Sequence, residues 1–497
     1  MGRGRSGRAP LPARRRRGPH ARARTSARGR DVARAGATPR PRSRRDPRRP
    51  RAQHGSDRGA LPGSREAAMS EELRVLILCY FFPPLGGGGV HRVLSFARHL
   101  PAHGWSCTVV CAGADDYWVR DETLTVPEGT EVLRVRGGSG LTTWLKAGGA
   151  AGGRRSGSTF GLLRRLSDWW LLPDSYRGWA RRARAVAAAR VRRGDVRALL
   201  SSSPPESVQL AARDVARRTG LPWIADFRDP WVPLAFRRPP SAWHRARQEA
   251  LERSVLMEAD RVIVASRTHA EALRERLGPA ADARVVHVPN GWEPMAEPTP
   301  RRDPDDRFLV VFTGTIAQLP DTEVALEAVH ELLARHPDAR RRLRVELVGP
   351  YESGYEDRAV ALGLTGIVRF TGPRPHQEVR GLQRRADLLL LWNPHGPGYR
   401  TMVPGKLYEY LETGRPIVAL LPESHEGAEL ARRGGATIRP PGRREPRTDE
   451  LERRYRARRE HGRAADEARP WLAEHARPVL AGRLAAVLND VARAKVS

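Results

Sequence analysis

Short apolar runs alternate along this chain with segments of helical periodicity. Between residues 69 and 288 the apolar runs predict strands at 73–79, 107–111, 132–135, 196–201, 223–227, 261–265 and 285–288. The amphipathic segments between them predict helices at 90–103, 179–193, 206–219, 243–259 and 269–277. This strand–helix alternation is typical of a parallel sheet covered by helices on both faces.

The alternation breaks at residues 289–306, which are rich in proline and charge, and it then starts again. Further strands are predicted at 308–313, 343–348, 368–371, 388–392, 417–421 and 436–438. Further helices are predicted at 323–336, 355–362, 377–385, 405–413 and 426–433, with two more around 449–461 and 471–493. We therefore predict an α/β protein with two tandem doubly wound Rossmann-like domains, 69–295 and 305–445, followed by C-terminal helices in 446–497. Ligands of such sheets bind beyond the carboxyl ends of the strands, so the interdomain cleft is the expected site.

The net charge of +32 is unevenly distributed. Residues 1–68 carry 21 arginines and four acidic residues, a net of +17, and they contain no apolar run and no periodicity. Such a segment buries too little surface to offset its chain entropy, so we expect it to be disordered. Arginine-rich tails can bind nucleic acid through phosphates, which leaves a nucleic-acid-binding protein as one alternative. Another alternative is that translation begins at Met69, because MSEELRVLILC is typical of a protein start that runs into a first strand.

The three cysteines, Cys79, Cys107 and Cys111, lie in or beside apolar runs and lack the spacing of a zinc site. We expect buried thiols in a reducing cytoplasm. No apolar run approaches the length of a membrane span.

Residues 162–186 mix tryptophans with many arginines, a composition that suits contact with an anionic membrane surface. The alternative is a helix that packs its tryptophans into the core.

Residues 403–420, VPGKLYEYLETGRPIVAL, form the most distinctive segment for chemistry. They contain Lys406, one of only three lysines among 88 basic residues. Pro404 and Gly405 open an amphipathic helix, and a helix N-terminus with its free N–H groups favours a phosphate. Lys406 adds a positive charge, and Glu409 can accept from a ribose hydroxyl. The alternative is a surface lysine that pairs with Glu409 three residues later.

Other motifs follow predicted strands and are expected at the same edge of each sheet. Four glycines between the first strand and the first helix allow backbone to approach a ligand and leave helix N–H groups open to an anion: Gly86, Gly87, Gly88 and Gly89. The hydroxyls of the serines at 201–203 should line this edge. In the ADFRDPW segment, Arg228 with Asp226 and Asp229 can orient a polar substrate or supply a general base, or can form a structural ion pair.

In the second domain we expect strand-end residues and a glycine-rich loop to face the cleft: Gly314, Thr315, Gly349, Gly372, Asn393 and His395.

Taken together, the order and spacing of these motifs resemble the family 4 retaining glycosyltransferases of the two-domain GT-B fold, over about residues 74–421. The segments that carry the resemblance are FFPPLGGGGVHR, SSSPP, ADFRDPW, EADRVIVAS, VPNGWE, FTGT, VRFTGPRP and ADLLLLW with PGKLYEYLETGRPIVAL.

The resemblance implies transfer of a sugar from a nucleotide-diphosphate sugar to a saccharide or lipid-linked acceptor, with retention and with neither a metal nor another cofactor. It places the nucleotide on the second domain at Gly314, Thr315, Gly349, Asn393, Thr401, Gly405, Lys406, Leu407 and Glu409. It implies that Glu409 holds the ribose, that Lys406 and the amides near Gly405 neutralise the diphosphate, and that Arg228 and Asp229 face the reacting sugar. The glycines at 86–89 would approach the donor phosphates or the acceptor. Glycan assembly at the cytoplasmic face of a membrane is a hypothesis on the same basis.

Two positions depart from the family pattern. Thr401 stands where the first of two glutamates spaced by eight usually lies, and Thr315 follows Gly314 where an arginine is common. Neutralisation of the diphosphate would then depend on Lys406 or on Arg400. A hydrolase or epimerase of the same fold, or an inactive binding protein, also remains open at this point.

Overall fold

The structure, a computed structural model, describes residues 73–116, 119–137, 169–232, 239–295, 306–316, 320–351, 354–393, 399–441 and 445–495. The expectations for residues 1–68, for residues 162–168 of the tryptophan–arginine segment and for His395 lie outside this part of the chain. The first domain contains β1 (Leu73–Cys79), α1 (His91–His99), β2 (Trp105–Ala112), β3 (Glu131–Val135), α2 (Arg177–Val191), β4 (Val196–Ser203), α3 (Ser207–Thr219), β5 (Trp223–Phe227), α4 (Ala242–Glu258), β6 (Arg261–Val264), α5 (Arg267–Leu277) and β7 (Val285–His287).

The second domain contains β8 (Phe308–Thr313), α6 (Pro320–Arg335), α7 (Ala339–Arg342), β9 (Leu343–Val348), α8 (Gly354–Ala361), β10 (Val368–Gly372), α9 (His376–Arg385), β11 (Leu388–Trp392), α10 (Gly405–Glu412), β12 (Ile417–Leu420), α11 (Glu426–Arg433) and β13 (Thr437–Arg439). After it come α12 (Glu445–His461), a 3-10 segment (Pro470–His475) and α13 (Arg477–Ala494). The predicted fold class is confirmed: these are two doubly wound α/β domains.

Both sheets are parallel throughout, with strand orders β3-β2-β1-β4-β5-β6-β7 and β10-β9-β8-β11-β12-β13. The order reverses between β1 and β4 in the first sheet and between β8 and β11 in the second. A crevice forms at such a switch point, outside the carboxyl ends of the strands. The segments that follow β1, β4, β8 and β11 are therefore the ones best placed to bind a ligand.

Alternation along the strands buries both faces of the second sheet. Phe308, Val310 and Phe312 belong to one apolar cluster, whereas Leu309 and Val311 belong to another on the opposite face. This period of two arises because successive side chains of a strand point to opposite faces. Parallel strands covered on both sides are continuous apolar runs in the sequence, which is why β1, β5, β8, β9 and β11 were located at their bounds.

The C-terminal helices separate. Helix α12 packs on α6 of the second domain, whereas α13 packs on α1 of the first. Leu480, Leu484 and Leu488 of α13 are part of the first domain's core, and Asn489 accepts a hydrogen bond from Trp105 at 2.9 Å. The chain thus returns to the first domain at its end, which periodicity alone does not indicate.

The three cysteines are free and buried, as the sequence predicts. No helix in the described ranges is long and apolar enough to cross a membrane.

Candidate functional site

Helix α10 begins at the carboxyl edge of the second sheet. Pro404 precedes it in an extended conformation, and no side chain caps its N-terminus. The first N–H groups of such a helix lack intrahelical partners and offer an anion site. Gly405 is exposed, so these groups are accessible to a ligand.

Lys406 lies over an aromatic floor next to this N-terminus. Its Nζ is 4.0 Å from the centre of the Phe312 ring, and that ring stacks on Trp392 at 3.8 Å. The side chain is half-buried, and burial lowers the pKa of Lys406 to about 7. The alternative of an ion pair with Glu409 is not realised, because Glu409 bonds other residues. Lys406 is therefore a cation that is weakly held and available to an anionic ligand.

The strand-end glycines make room for this lysine. Gly314 and Gly349 have φ angles of 131° and 135°, a region that favours glycine. A Cβ on Gly314 would lie 2.9 Å from the Lys406 Nζ, and a Cβ on Gly349 would overlap the carbonyl oxygen of Gly314. The ends of β8 and β9 can approach α10 this closely only without side chains.

Glu409 is buried at the centre of a polar network. Its Oε1 lies 2.9 Å from the His376 Nε2, and its Oε2 accepts from the Gln383 amide at 3.3 Å. Gln383 also donates to Thr313, whose N–H donates to the Tyr410 hydroxyl. Burial by itself would raise the pKa of Glu409, but its positively charged and imidazole neighbours outweigh it and hold that pKa well below its usual range. The network therefore fixes an ionised carboxylate beside the end of β8.

Two histidines that the sequence analysis did not single out join the two domains. The rings of His91, at the start of α1, and His376, at the start of α9, lie 4.2 Å apart. The His376 N–H also donates to Asp121 of the first domain at 3.0 Å. Burial, and then His376, holds the pKa of His91 well below its ordinary value. Both histidines open helices that follow strand ends, and this position was the available signal.

The glycine loop of the first domain is anchored by Arg228. The Arg228 guanidinium donates to the Gly89 carbonyl at 2.8 Å and lies 3.4 Å from Asp229. Gly86 is buried, whereas Gly87 and Gly88 are exposed. The loop thus offers bare backbone at its tip, and Arg228 holds its base.

The serine hydroxyls do not line the ligand edge, so that expectation was wrong. The serines at 201–203 are buried in β4, where Ser202 donates to Asp226 at 2.7 Å. Asp226 is fully buried and paired with Arg92 at 2.9 Å. Polar residues at a strand end can bond each other as well as a ligand, and here the first outcome holds. Asp226 is accordingly structural rather than a general base.

The remaining predicted residues occupy varied positions. Thr315 is exposed, Asn393 is half-buried, and the carbonyl of Thr401 accepts from Ser266 of the first domain. Leu407 is buried in the core, and its N–H donates to the Pro404 carbonyl at 3.0 Å. Its side chain therefore positions α10 and does not contact a ligand.

A second contact between the domains lies between α5 and α11. Glu426 accepts from the backbone N–H of Arg267 at 3.0 Å and of Thr268 at 2.8 Å. A carboxylate at a helix N-terminus is stabilised by the free N–H groups and the helix dipole. Glu426 thus joins one domain to the start of a helix in the other.

Family models match both halves of this arrangement. A Glycosyl transferase 4-like domain matches residues 87–291, and Glycosyl transferases group 1 matches residues 307–451. The chain belongs to the group 1 glycosyltransferases. The first model covers the glycine loop from Gly87 onward with Arg228, and the second covers β8 to α11 with Lys406 and Glu409.

Curated relatives of this glycosyltransferase are D-inositol 3-phosphate glycosyltransferases. The one from Saccharomonospora viridis is 32% identical over 183 residues, which are 34% of this chain and 41% of the relative. The one from a Nocardioides strain is 35% identical over 129 residues, 23% of this chain and 27% of the relative. The matched regions thus span less than half of these two relatives, 41% and 27% of their lengths.

Solved structures share the fold at low identity. Anabaena HepE, determined with UDP and glucose, superposes with a TM-score of 0.54 at 15% identity, covering 84% of this chain and 99% of HepE. A glycosyltransferase from Rickettsia africae gives 0.54 at 11% identity, covering 84% and 98%. These likenesses confirm the GT-B fold of the glycosyltransferase.

Proposed function

We propose that this protein transfers a sugar from a nucleotide-diphosphate sugar to an acceptor hydroxyl, with retention of the anomeric configuration. The observation that carries the proposal is the arrangement at α10, where Lys406, an open helix N-terminus and an ionised Glu409 surround glycine-lined strand ends. Family membership of both halves of the chain supports the same reaction.

Lys406 and the N-terminus of α10 act on the leaving group. Departure of a nucleoside diphosphate builds negative charge, and fixed donors directed at that charge lower the barrier. A bound diphosphate favours the protonated form of Lys406, so the lysine becomes fully charged where the charge develops. Thr315 brings no positive charge to this position, which makes Lys406 the main contributor, with the exposed Arg400 on the preceding loop as a possible second.

Glu409 holds the ribose of the donor. Its carboxylate has about four acceptor positions, and His376 and Gln383 occupy two of them. A ribose hydroxyl can donate to a remaining position, and the low pKa keeps Glu409 an acceptor across the physiological range.

The first domain supplies the acceptor side. The exposed tip at Gly87 and Gly88 admits close approach of phosphate or sugar, and Arg228 with Asp229 faces the reacting sugar. The acceptor belongs to the class of saccharides or lipid-linked intermediates, and D-inositol 3-phosphate enters the test because the curated relatives are named for it. UDP is the first nucleotide to test because HepE was determined with it. The reaction proceeds in this proposal without a metal or another cofactor.

Incubation with UDP-, GDP- and dTDP-sugars tests the proposal, with acceptors that include D-inositol 3-phosphate and short oligosaccharides. Mass spectrometry should detect a glycosylated acceptor in the presence of EDTA, and NMR should show the donor's anomeric configuration in the product. Lys406→Met should abolish transfer, whereas Lys495→Met, which changes a lysine directly after the last helix, should retain it. Release of free sugar without transfer to any acceptor would contradict the proposal and favour a hydrolase.

A further inference from the structure

Three tryptophans on the first domain are exposed to solvent. Trp169, Trp170 and Trp243 are 53%, 79% and 64% exposed. The other tryptophans in the described ranges are buried or half-buried, including Trp179 of the same sequence segment. The tryptophan–arginine segment therefore divides, with one ring in the core and two at the surface. Large exposed aromatic side chains in a cluster mark an interaction site.

His244 brings the tryptophans together. Its buried ring makes edge contacts with Trp169 and Trp243 at centroid distances of 4.8 and 4.9 Å. Its Nε2 lies 3.2 Å from the Trp169 carbonyl oxygen, and its Nδ1 lies 2.8 Å from Ser241, which caps α4. Trp169 and Trp243, from distant parts of the sequence, thus meet at His244. Together with the adjacent, exposed Trp170 we call them the tryptophan patch.

The base of the tryptophan patch is tied to the core by buried hydrogen bonds. Gln248 donates to the Pro173 carbonyl at 2.8 Å and accepts from the Trp231 indole at 2.7 Å. Buried Asp174 accepts from both the N–H and the hydroxyl of Ser207 at the start of α3. Buried hydrogen bonds therefore join the segments that carry Trp169 and Trp243 to the core of the domain.

Exposed arginines lie in sequence beside the patch. Arg245 and Arg247 are exposed on the first turns of α4, and Arg177 and Arg181 are exposed on the first turns of α2. Within the described part of the chain none of these four forms an ion pair. Arginines further along α2 behave differently, since Arg184 pairs with Asp214 at 2.9 Å. The region near the patch therefore carries four exposed arginines that form no ion pair with another described residue, with the exposed Glu249 one turn beyond Arg245 on α4.

We propose that the tryptophan patch docks this protein on the surface of an anionic lipid bilayer. An indole has an apolar body and an N–H donor, so tryptophan prefers the interface between hydrocarbon and headgroups. Arginines near an anionic surface add electrostatic attraction to the bilayer. The indoles of the patch suit the boundary between hydrocarbon and headgroups, and the nearby unpaired arginines suit the anionic headgroups. This inference is independent of the glycosyl donor and of the chemistry at α10.

Quenching of tryptophan fluorescence by lipids brominated in their acyl chains tests the proposal on the full chain. Residues 1–68 contain no tryptophan, so adsorption through that basic segment alone produces no quenching. Vesicles with 30% phosphatidylglycerol should quench the wild type, and pure phosphatidylcholine vesicles should quench it at least fivefold less. Trp170→Ser combined with Trp243→Ser should remove most of the quenching.

Two further variants keep the test decisive. Met257→Ser changes an exposed apolar residue at the far end of α4 and should leave the quenching unchanged. Arg245→Gln with Arg247→Gln changes only exposed side chains and should weaken binding to anionic vesicles several-fold. Unchanged quenching in the double tryptophan variant, or an equal loss in Met257→Ser, overturns the proposal. Loss of single-stranded DNA binding in the double tryptophan variant, with its vesicle quenching unchanged, also overturns the proposal, because the patch would then be a nucleic-acid site.

Discussion

At the scale of single residues, the site depends on two ionisable side chains whose charged forms are disfavoured by burial. Lys406 is a base whose pKa falls to about 7, and Glu409 is an acid whose pKa stays well below its usual range despite burial. Among the described residues the lysine has no carboxylate partner, whereas the glutamate has imidazole and guanidinium neighbours. The lysine is thus the group that an anionic ligand changes most.

Nucleotide affinity should fall as the pH rises above about 7. Free Lys406 loses its proton through that range, whereas a bound diphosphate raises its pKa, so binding takes up a proton. The loss should approach tenfold per pH unit, measured by calorimetric titration of UDP between pH 7 and 9. Lys406→Arg should bind with little pH dependence over this range, since arginine stays charged. An equal slope in Lys406→Arg would assign the pH effect to another group.

Glu409→Gln should weaken binding of a nucleoside diphosphate about 10-fold to 100-fold, the value of a hydrogen bond to a charged group. Binding of pyrophosphate, which has no ribose, should change little. Glu423→Gln, on the exposed loop before α11, is the control and should bind both ligands normally. If Glu409→Gln weakened pyrophosphate as much as UDP, Glu409 would act on the diphosphate or on folding.

Substitution by alanine should affect the two aspartates of ADFRDPW differently, with a loss of stability at Asp226 and a loss of activity at Asp229. Asp226→Ala leaves Arg92 buried without its partner, which costs about 3–5 kcal/mol of folding free energy. Asp229→Ala should fold normally and lower the rate of transfer. Chemical unfolding and an activity assay separate the two effects, and equal stability of both variants would contradict the structural role of Asp226.

At the scale of elements, the site is a meeting of strand ends with one short helix. The N-terminus of α10 approaches β8 and β9 because Gly314 and Gly349 carry no side chain. Gly349→Ala combines a positive φ with overlap of the Gly314 carbonyl, so it should destabilise the protein by at least about 1–3 kcal/mol. Gly178→Ala, on an exposed turn of α2 with open space around it, should be neutral or stabilising. The midpoints of urea unfolding compare the two, and equal midpoints would contradict the close packing.

The elements themselves were largely predictable from the sequence. Strands buried on both faces are continuous apolar runs, so β1, β5, β8, β9 and β11 match their predicted bounds. Contacts between polar residues that are distant in sequence could not be predicted in the same way. The pairing of Asp226 with Arg92 and the approach of His91 to His376 depend on how the chain folds across two domains, which local patterns do not encode. The segment at α10 was found because lysine is rare in this chain.

At the scale of the whole molecule, two groups of contacts hold the domains together. His91 meets His376 on one side, and Glu426 joins the N-terminus of α5 on the other. The return of α13 to the first domain ties the end of the chain to its beginning. The proposed donor site at α10 and the glycine loop that precedes His91 are therefore linked through His91 and His376.

Glu426→Ala should loosen this arrangement, because the two N–H groups at the start of α5 lose their acceptor. Small-angle scattering should show a larger radius of gyration, and UDP should bind several-fold more weakly. Glu429 lies on the same helix as Glu426. Glu429→Ala removes its exposed ion pair with Arg267 of α5 and should have little effect. Equal behaviour of the two variants would show that Glu426 does not hold the domains together.

The central claim is that α10 binds the diphosphate of a nucleotide sugar through Lys406. Calorimetric titration of UDP, GDP and dTDP into the wild type, Lys406→Met and Lys495→Met at pH 7 tests it most directly. The account predicts that one nucleotide binds to the wild type and to Lys495→Met, and at least 10-fold more weakly to Lys406→Met. Equal affinity in all three proteins, or no binding of any nucleotide at millimolar concentration, would contradict it.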